Sequence, residues 1–356
     1  MNRRMMTIAP WAMALALAPL AAAEAQTTCS STPAPRSAAT RPALTGRMVY
    51  QSSAALYLTD FAAATTTQIS FSTSSGPTPV LSVPSNANFS PDGRWIVFYA
   101  LWTPSGGSAR TDVFISRPDG SRLVDLTVDQ DPTLPYEDPR FAQDGVTVFY
   151  KRIYFPTAGT SAAIMKMQVS LPPVGSGSDP SRVGSPVQVL VTDGVQYSKP
   201  SPSPTGKYVY YFTGTTPNEG VYRLNTQTAA TEAISAATGV QSYYPAPRDL
   251  TTTYYVSWAN ATNHADQIYA YAPTIKAAVT LLTLNDTSKD DSDPAKVDED
   301  YIVFSSDRCN GDGVGHYKLF VGQPGTTKYW TLDIDHINDP VDNLLGADFT
   351  LTLAGP

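Results

Sequence analysis

Short apolar runs recur along this chain, and each is preceded by a tight-turn signal. The clearest unit is Asn88-Phe89-Ser90-Pro91-Asp92-Gly93-Arg94 followed by Trp95-Ile96-Val97-Phe98-Tyr99. In Ser-Pro-Asp-Gly, proline presets φ at the second position, aspartate bonds to nearby backbone, and glycine accepts a positive φ. A second copy is Asp138-Pro139-Arg140-Phe141-Ala142-Gln143-Asp144-Gly145 before the run 146–150, and a third is Lys199-Pro200-Ser201-Pro202-Ser203-Pro204-Thr205-Gly206 before 208–212. Degraded copies are Tyr244-Pro245-Ala246-Pro247 before 254–258 and Asp293-Pro294 before 301–304. An earlier one is Arg41-Pro42 with Gly46 before Met48-Val49-Tyr50. The turn glycines Gly46, Gly93, Gly145 and Gly206 recur at intervals of 47, 52 and 61 residues.

Each interval holds two further strand-like runs. In the second repeat these are 112–116 and 123–127, joined across the turn Arg117-Pro118-Asp119-Gly120. Four short strands in a period of about fifty residues predict the blade of a β-propeller. The runs 95–101, 208–212 and 301–304 are nearly continuous in apolar character, as expected of middle strands buried on both faces. No segment shows a sustained helical period, and a β-sandwich gives no reason for a fifty-residue repeat. The reading is therefore all-β: a single propeller domain over residues 45–356 with four-stranded antiparallel blades. If the last stretch, Asp339-Pro340 through Leu353, pairs with the strands near Met48 and Tyr57, the ring closes with six blades and no open edge. If it builds a blade of its own, the count is seven.

The first 25 residues read differently. Arg3 and Arg4 precede an apolar run, 11–23, that leads to Ala23-Glu24-Ala25, a small-residue cleavage site before Gln26. This is the pattern of a secretory signal peptide, too short for a membrane span. Residues 26–44 are rich in Ser, Thr, Pro and Ala and read as a flexible tail. The expected product is periplasmic or secreted, cleaved near Ala25, with no membrane span. Its two cysteines, Cys29 and Cys309, form either a disulfide or two thiols, the oxidising compartment inviting the first. Formal net charge is −7, so the chain lacks the basic surface needed to hold a phosphate backbone, and nucleic acid is not an expected partner.

The Ser-Pro-Asp-Gly turn, the x-Pro before it, the aromatic-aliphatic strand after it, and Phe304-Ser305-Ser306-Asp307-Arg308 together resemble the TolB-type propeller repeat over about residues 41 to 354. The resemblance implies a six- or seven-bladed propeller in an exported bacterial protein. TolB carries a separate α/β domain before its propeller, whereas only the short tail precedes the first repeat here, which puts a Tol–Pal role in doubt. Oligogalacturonate lyases are relatives of the same repeat, in which a propeller funnel holds a metal and uronic acid sugars.

Propeller geometry sorts the polar residues. Loops from an outermost strand to the next innermost one share a face with the loops between second and third strands. The first set is expected to hold Asp129, Asp131, Glu137 and Asp138, then Asp286, Asp290, Asp291 and Asp293, then Asp333, Asp335, His336, Asp339 and Asp342. The second set holds Lys151, Arg152, Asn263, His264, Asp307, Arg308 and His316, so all 3 histidines map to one rim. Clustered carboxylates attract hard cations and raise one another's pKa; acidic loops are equally the solvated face of an exported protein. The metal candidates are Asp138, Asp293 and His336, for a divalent cation such as calcium or manganese. The catalytic candidates are His336, His264, His316, Glu137 and Asp138. Arg152, Arg308, Asp293, Asp339 and Tyr244 are the ligand-binding candidates, with Arg308 alternatively structural and the tyrosines alternatively packing between blades. No nucleophile elbow, P-loop, dinucleotide fingerprint or His-Glu-x-x-His occurs. The expectation is an exported propeller that binds an envelope protein or a glycan at its loop-rich face. The alternative is a carbohydrate-active enzyme, a uronic-acid lyase or glycosidase, at the channel mouth.

Overall fold

The computed structural model describes residues 42–155, 161–173, 175–191, 197–215, 217–235, 238–273, 277–282, 284–285, 288–308, 317–332 and 343–351. The expected signal peptide, most of the expected tail, Cys29, Cys309, Asp286, His316, Asp333, Asp335, His336, Asp339 and Asp342 lie outside the described residues.

Within them the chain forms six four-stranded antiparallel sheets. The first blade contains β1 (Arg47–Ser52), β2 (Ala55–Asp60) and β3 (Thr65–Gln68). The second is β4 (Leu81–Phe89), β5 (Ile96–Trp102), β6 (Arg110–Ser116) and β7 (Val124–Asp125). The third is β8 (Tyr136–Phe141), β9 (Thr147–Tyr154), β10 (Ser161–Ser170) and β11 (Ser181–Val191). The fourth is β12 (Tyr197–Pro202), β13 (Tyr208–Thr215), β14 (Asn218–Asn225) and β15 (Thr231–Ser235). The fifth is β16 (Ser242–Pro247), β17 (Thr253–Trp258), β18 (Asp266–Ala272) and β19 (Ala277–Leu281). The sixth is β20 (Asp291–Lys296), β21 (Ile302–Ser306), β22 (Lys318–Gly322) and β23 (Tyr329–Thr331). The last strand, β24 (Leu344–Thr350), is the innermost strand of the first blade, paired with β1 so that Phe349 lies opposite Met48. The ring therefore closes with six blades, not seven. At the seam Gly46 has φ 101°, and a Cβ there would sit 2.3 Å from the Thr350 carbonyl oxygen, so only glycine fits.

The repeated turn builds the inner hairpins of the second, third and fourth blades in the same way. Gly93 donates its backbone N–H to the Ser90 carbonyl at 2.8 Å, and Ser90 donates to the Trp95 carbonyl at 2.8 Å. Gly145 with Ala142 and Gly206 with Ser203 repeat the geometry in the next two blades. Apolar faces then have one place to go, the neighbouring blade. One apolar layer lies between each adjacent pair of blades, for example Trp95, Val97 and Ile115 against Tyr136, Val148 and Tyr150. Burying a side chain of this size from water contributes roughly 1.5–3 kcal/mol. The layer between the fourth and fifth blades is built on Val221, Tyr255 and Tyr271 and is rich in tyrosine. Among the described residues no helix is long and apolar enough to cross a membrane.

Candidate functional site

The six inner strands share one irregularity. Each is bulged, and each bulge holds a residue at positive φ: Asn86, Asp138, Lys199, Tyr244, Asp293 and Gly346, with φ between 44° and 60°. A bulge leaves the extra residue out of the ladder and re-aims its side chain. Left-handed backbone costs an ordinary residue roughly 1–2 kcal/mol; asparagine and aspartate tolerate it better than lysine or tyrosine. Four of the six precede proline (Pro139, Pro200, Pro245 and Pro294), whose missing N–H is harmless at a bulge. Glu137, Asp138, Asp291 and Asp293, expected in loops, thus lie within inner strands, and Lys151 and Arg152 lie within β9.

The bulge residues form a linked ring. Asn86 Nδ2 donates to Asp138 Oδ1 at 2.6 Å, and the Lys199 backbone N–H donates to Asp138 Oδ2 at 3.3 Å. Lys199 Nζ reaches Asp293 Oδ1 at 3.0 Å and lies 3.4 Å from the centroid of the Tyr244 ring. Lys151 Nζ adds bonds to Glu137 at 2.6 Å and Asp138 at 3.2 Å. At the sixth position a Cβ on Gly346 would lie 3.2 Å from Asn86 Oδ1, so glycine leaves room for that amide. Burial works against the Asp138 carboxylate, but Lys151, Lys199 and Asn86 outweigh it and hold its pKa below the usual range. Burial also opposes the Lys151 ammonium, and Asp138 and Glu137 outweigh it and raise its pKa. Both groups stay charged at neutral pH, an arrangement that fixes structure and leaves no proton poised to move.

On the loop-rich side of this ring stands a mixed aromatic and acidic mouth. Phe212, Tyr243 and Tyr244 form a cluster, with centroids of the two tyrosines 4.7 Å apart and both within 6.2 Å of Phe212. Tyr243 lies opposite Val256 and Trp258 opposite Asp266, which puts Tyr243, Trp258 and Asp266 on one face of the fifth blade. The Tyr243 hydroxyl donates a hydrogen bond to Asp266 Oδ1. Burial, with Asp290 and Asp293 nearby, raises the Asp266 pKa to about 7, the hydrogen bond from Tyr243 opposing the rise. Asp290 Oδ1 accepts the Asp266 backbone N–H at 2.8 Å, and its Oδ2 accepts the Tyr317 hydroxyl at 2.9 Å. His264 sits at the tip of the β17–β18 hairpin, exposed, stacked on Trp258 at 4.0 Å and 15°, with Nε2 3.1 Å from the Ala261 carbonyl oxygen.

The other sequence candidates fall elsewhere. Arg308 is buried, bonded through Nε to Asp291 Oδ1 at 2.9 Å and through a second nitrogen to the Leu284 carbonyl at 2.8 Å, with its guanidinium 4.1 Å from the Tyr329 ring centroid. It ties the sixth blade to the fifth. Arg152 donates to Gln188 Oε1 at 2.7 Å within the third blade. The oxygens of Asp138 and Asp293 face lysine partners, and among the described residues no group of three or more His, Cys, Asp or Glu side chains could hold a metal ion. Of the residues central to this geometry, Lys199 carried only an x-Pro dipeptide, Tyr243 only its place among the tyrosine-rich strands, and Asp266 no signal in the sequence.

The opposite end of the channel is a funnel of about 300 Å³ lined by the outgoing ends of the six inner strands. Arg140 lines both this funnel and the narrow waist beside Lys199, Tyr244 and Asp293.

No protein-family model matches the sequence, and no curated protein matches it. Among solved structures the chain is similar to the nidogen/laminin complex, with TM-score 0.53 and 10% identity over 86% of this chain and 99% of that one. It is similar to TolB from Acinetobacter baumannii, with TM-score 0.49 and 15% identity over 80% of this chain and 67% of that one. Oligogalacturonate lyase in complex with manganese matches with TM-score 0.44 and 11% identity over 82% and 86%. Such identities speak to fold alone, and the fold is the one the turn repeat announces, a six-bladed propeller.

Proposed function

We propose that this protein is an exported binding or scaffold module that holds a glycan or a protein segment on its loop-rich face, at the mouth formed by Tyr243, Tyr244, Trp258 and Asp266. The observation that carries this reading is the state of the channel ring. Asp138, Lys151, Lys199 and Asp293 neutralise one another in fixed pairs, so the axis of the wheel is a rigid floor beneath a partly open aromatic shelf. Half-buried aromatic rings next to carboxylates suit a glycan, because rings cover the apolar faces of sugars while carboxylates accept their hydroxyls.

A second reading, a uronic-acid lyase or glycosidase, is favoured by one group. Asp266, its pKa near 7 through burial and its oxygen hydrogen-bonded to Tyr243, has the properties of a general acid or base. One experiment separates the two: affinity electrophoresis of the purified protein in gels containing uronic-acid and neutral polysaccharides, with absorbance followed for unsaturated product. Retardation without product, lost in Trp258→Ala, is expected. Product formation abolished by Asp266→Asn replaces the binding reading with the lyase, and no retardation by any polysaccharide removes the glycan and leaves the protein segment.

A further inference from the structure

We propose that the funnel on the turn-rich face is a separate binding site for a small carboxylate ligand, with Arg140 as its anion anchor. This goes beyond the reading above, since it concerns the other end of the channel. Six inner-strand ends line a polar space of about 300 Å³, the lower end of the size range for small-molecule sites. In a chain of net charge −7 its charged lining is Arg140, Arg248 and Lys296 against the single carboxylate Asp348.

The arginine is the informative group. Among the described residues its guanidinium makes no hydrogen bond, and its ion pair to Asp348 Oδ1 is loose, at 4.0 Å. Asp348 is turned away from it: Oδ2 accepts Asn88 Nδ2 at 2.9 Å and the Phe89 backbone N–H at 2.8 Å. Arg248 and Lys296 are already engaged, Arg248 with the Tyr254 hydroxyl at 3.0 Å and Lys296 with Glu299 at 2.5 Å. Arg140 is therefore left with its hydrogen-bond donors free, one-quarter exposed, at the junction of funnel and waist. A planar guanidinium with unused donors in a partly desolvated recess matches the two oxygens of a carboxylate. The serines of the lining do not compete for it, because Ser90 donates to Asp92, Ser201 donates to the Lys199 carbonyl and Ser203 bonds within its own turn. Gln143, exposed at the mouth, is placed to meet the body of the ligand.

Two sources supply this chemistry, a peptide C-terminus and a uronic acid. The test is calorimetric titration of the purified protein with N-acetyl-trialanine and with digalacturonate, each beside its capped form, the peptide amide and the methyl ester. At least one acid is expected to bind, and to lose about tenfold or more in affinity when capped and again in Arg140→Gln. The acid that binds identifies the source. Gln143→Glu, which adds a negative charge at the mouth without touching Asp348, is expected to weaken the same ligand and serves if Arg140→Gln does not fold. Equal affinity for acid and capped form, affinity unchanged in either variant, or no binding of either acid at about 10 mM overturns the proposal. Because Trp258→Ala leaves the funnel intact, failure here and failure at the loop-rich face are read independently.

Discussion

The two mouths of the channel are built from the two ends of the same six strands, yet their chemistry is opposite. At the loop-rich end, Tyr243, Tyr244, Trp258, Asp266 and Asp290 make an aromatic and acidic surface whose polar groups bond to one another. At the turn-rich end, prolines and serines of the repeated turn frame a funnel whose freest charged group is a cation, Arg140. Between them lies a waist in which lysines and aspartates cancel. The difference teaches that the turn repeat, which fixes the inner hairpins, fills its own end mostly with turn residues and leaves a cation, Arg140, as the freest charge there. Most variation is pushed into the strand starts and the hairpins beside them.

The sharpest way to break the comparison is to remove the waist that separates the mouths. Asp138→Ala leaves Lys151 with Glu137 alone and Asn86 without its acceptor. Stripping a partner from a buried charge of this kind is expected to cost about 3 kcal/mol in urea unfolding. An unchanged midpoint would mean that the ring is not a structural floor.

Next comes pH. Asp266, with its pKa raised to about 7, keeps a proton in the folded protein that the unfolded chain has already released. Stability is therefore expected to fall as pH rises from about 4 to about 7, by roughly 1.4 kcal/mol per pH unit for this group, and to level off above. Asp266→Asn should take this group's share out of the slope, leaving that of Asp125, whose burial and neighbour Asp112 raise it to about 8; an identical slope in the variant would place the titration elsewhere.

A double switch then sharpens the contrast. Trp258→Ala is expected to abolish retention by glycan with carboxylate affinity at the funnel unchanged, and Arg140→Gln to do the reverse, each by about tenfold. Loss of both functions in either variant would mean one site instead of two. The smallest effect belongs to the rim. Asp129, largely exposed and paired with Arg182, is expected to change stability by less than about 1 kcal/mol on mutation to alanine.

Legibility in the sequence followed the range of the interactions. The wheel was readable because its punctuation is local: Ser90 to Gly93 closes on itself within a few residues. The closing strand was readable because its apolar residues needed a partner, and Phe349 meets Met48 as expected. The channel ring was only half visible. Its x-Pro dipeptides stood out, but charges beside prolines look like loops, whereas bulges carry the strand through them. Nothing local indicates that Lys199 meets Asp293, 94 residues later. Asp266 follows an ordinary hairpin, and its burial beneath Tyr243 depends on a neighbouring blade. Tyr244, weighed as ligand contact or packing, is half-buried and carries Lys199 on its ring.

The pairing of β24 with β1 has a consequence for how the molecule is made. Arg47 and Thr350, hydrogen-bonded neighbours in one sheet, are translated at opposite ends of the domain. Five blades can assemble in order as the chain emerges, but the first must wait, three strands wide and with one flank bare, until the final segment arrives. A polypeptide cut short before Leu344 presents that flank to any extended segment nearby, a template for joining molecule to molecule. The latch thus makes completeness of the chain a condition for its solitude.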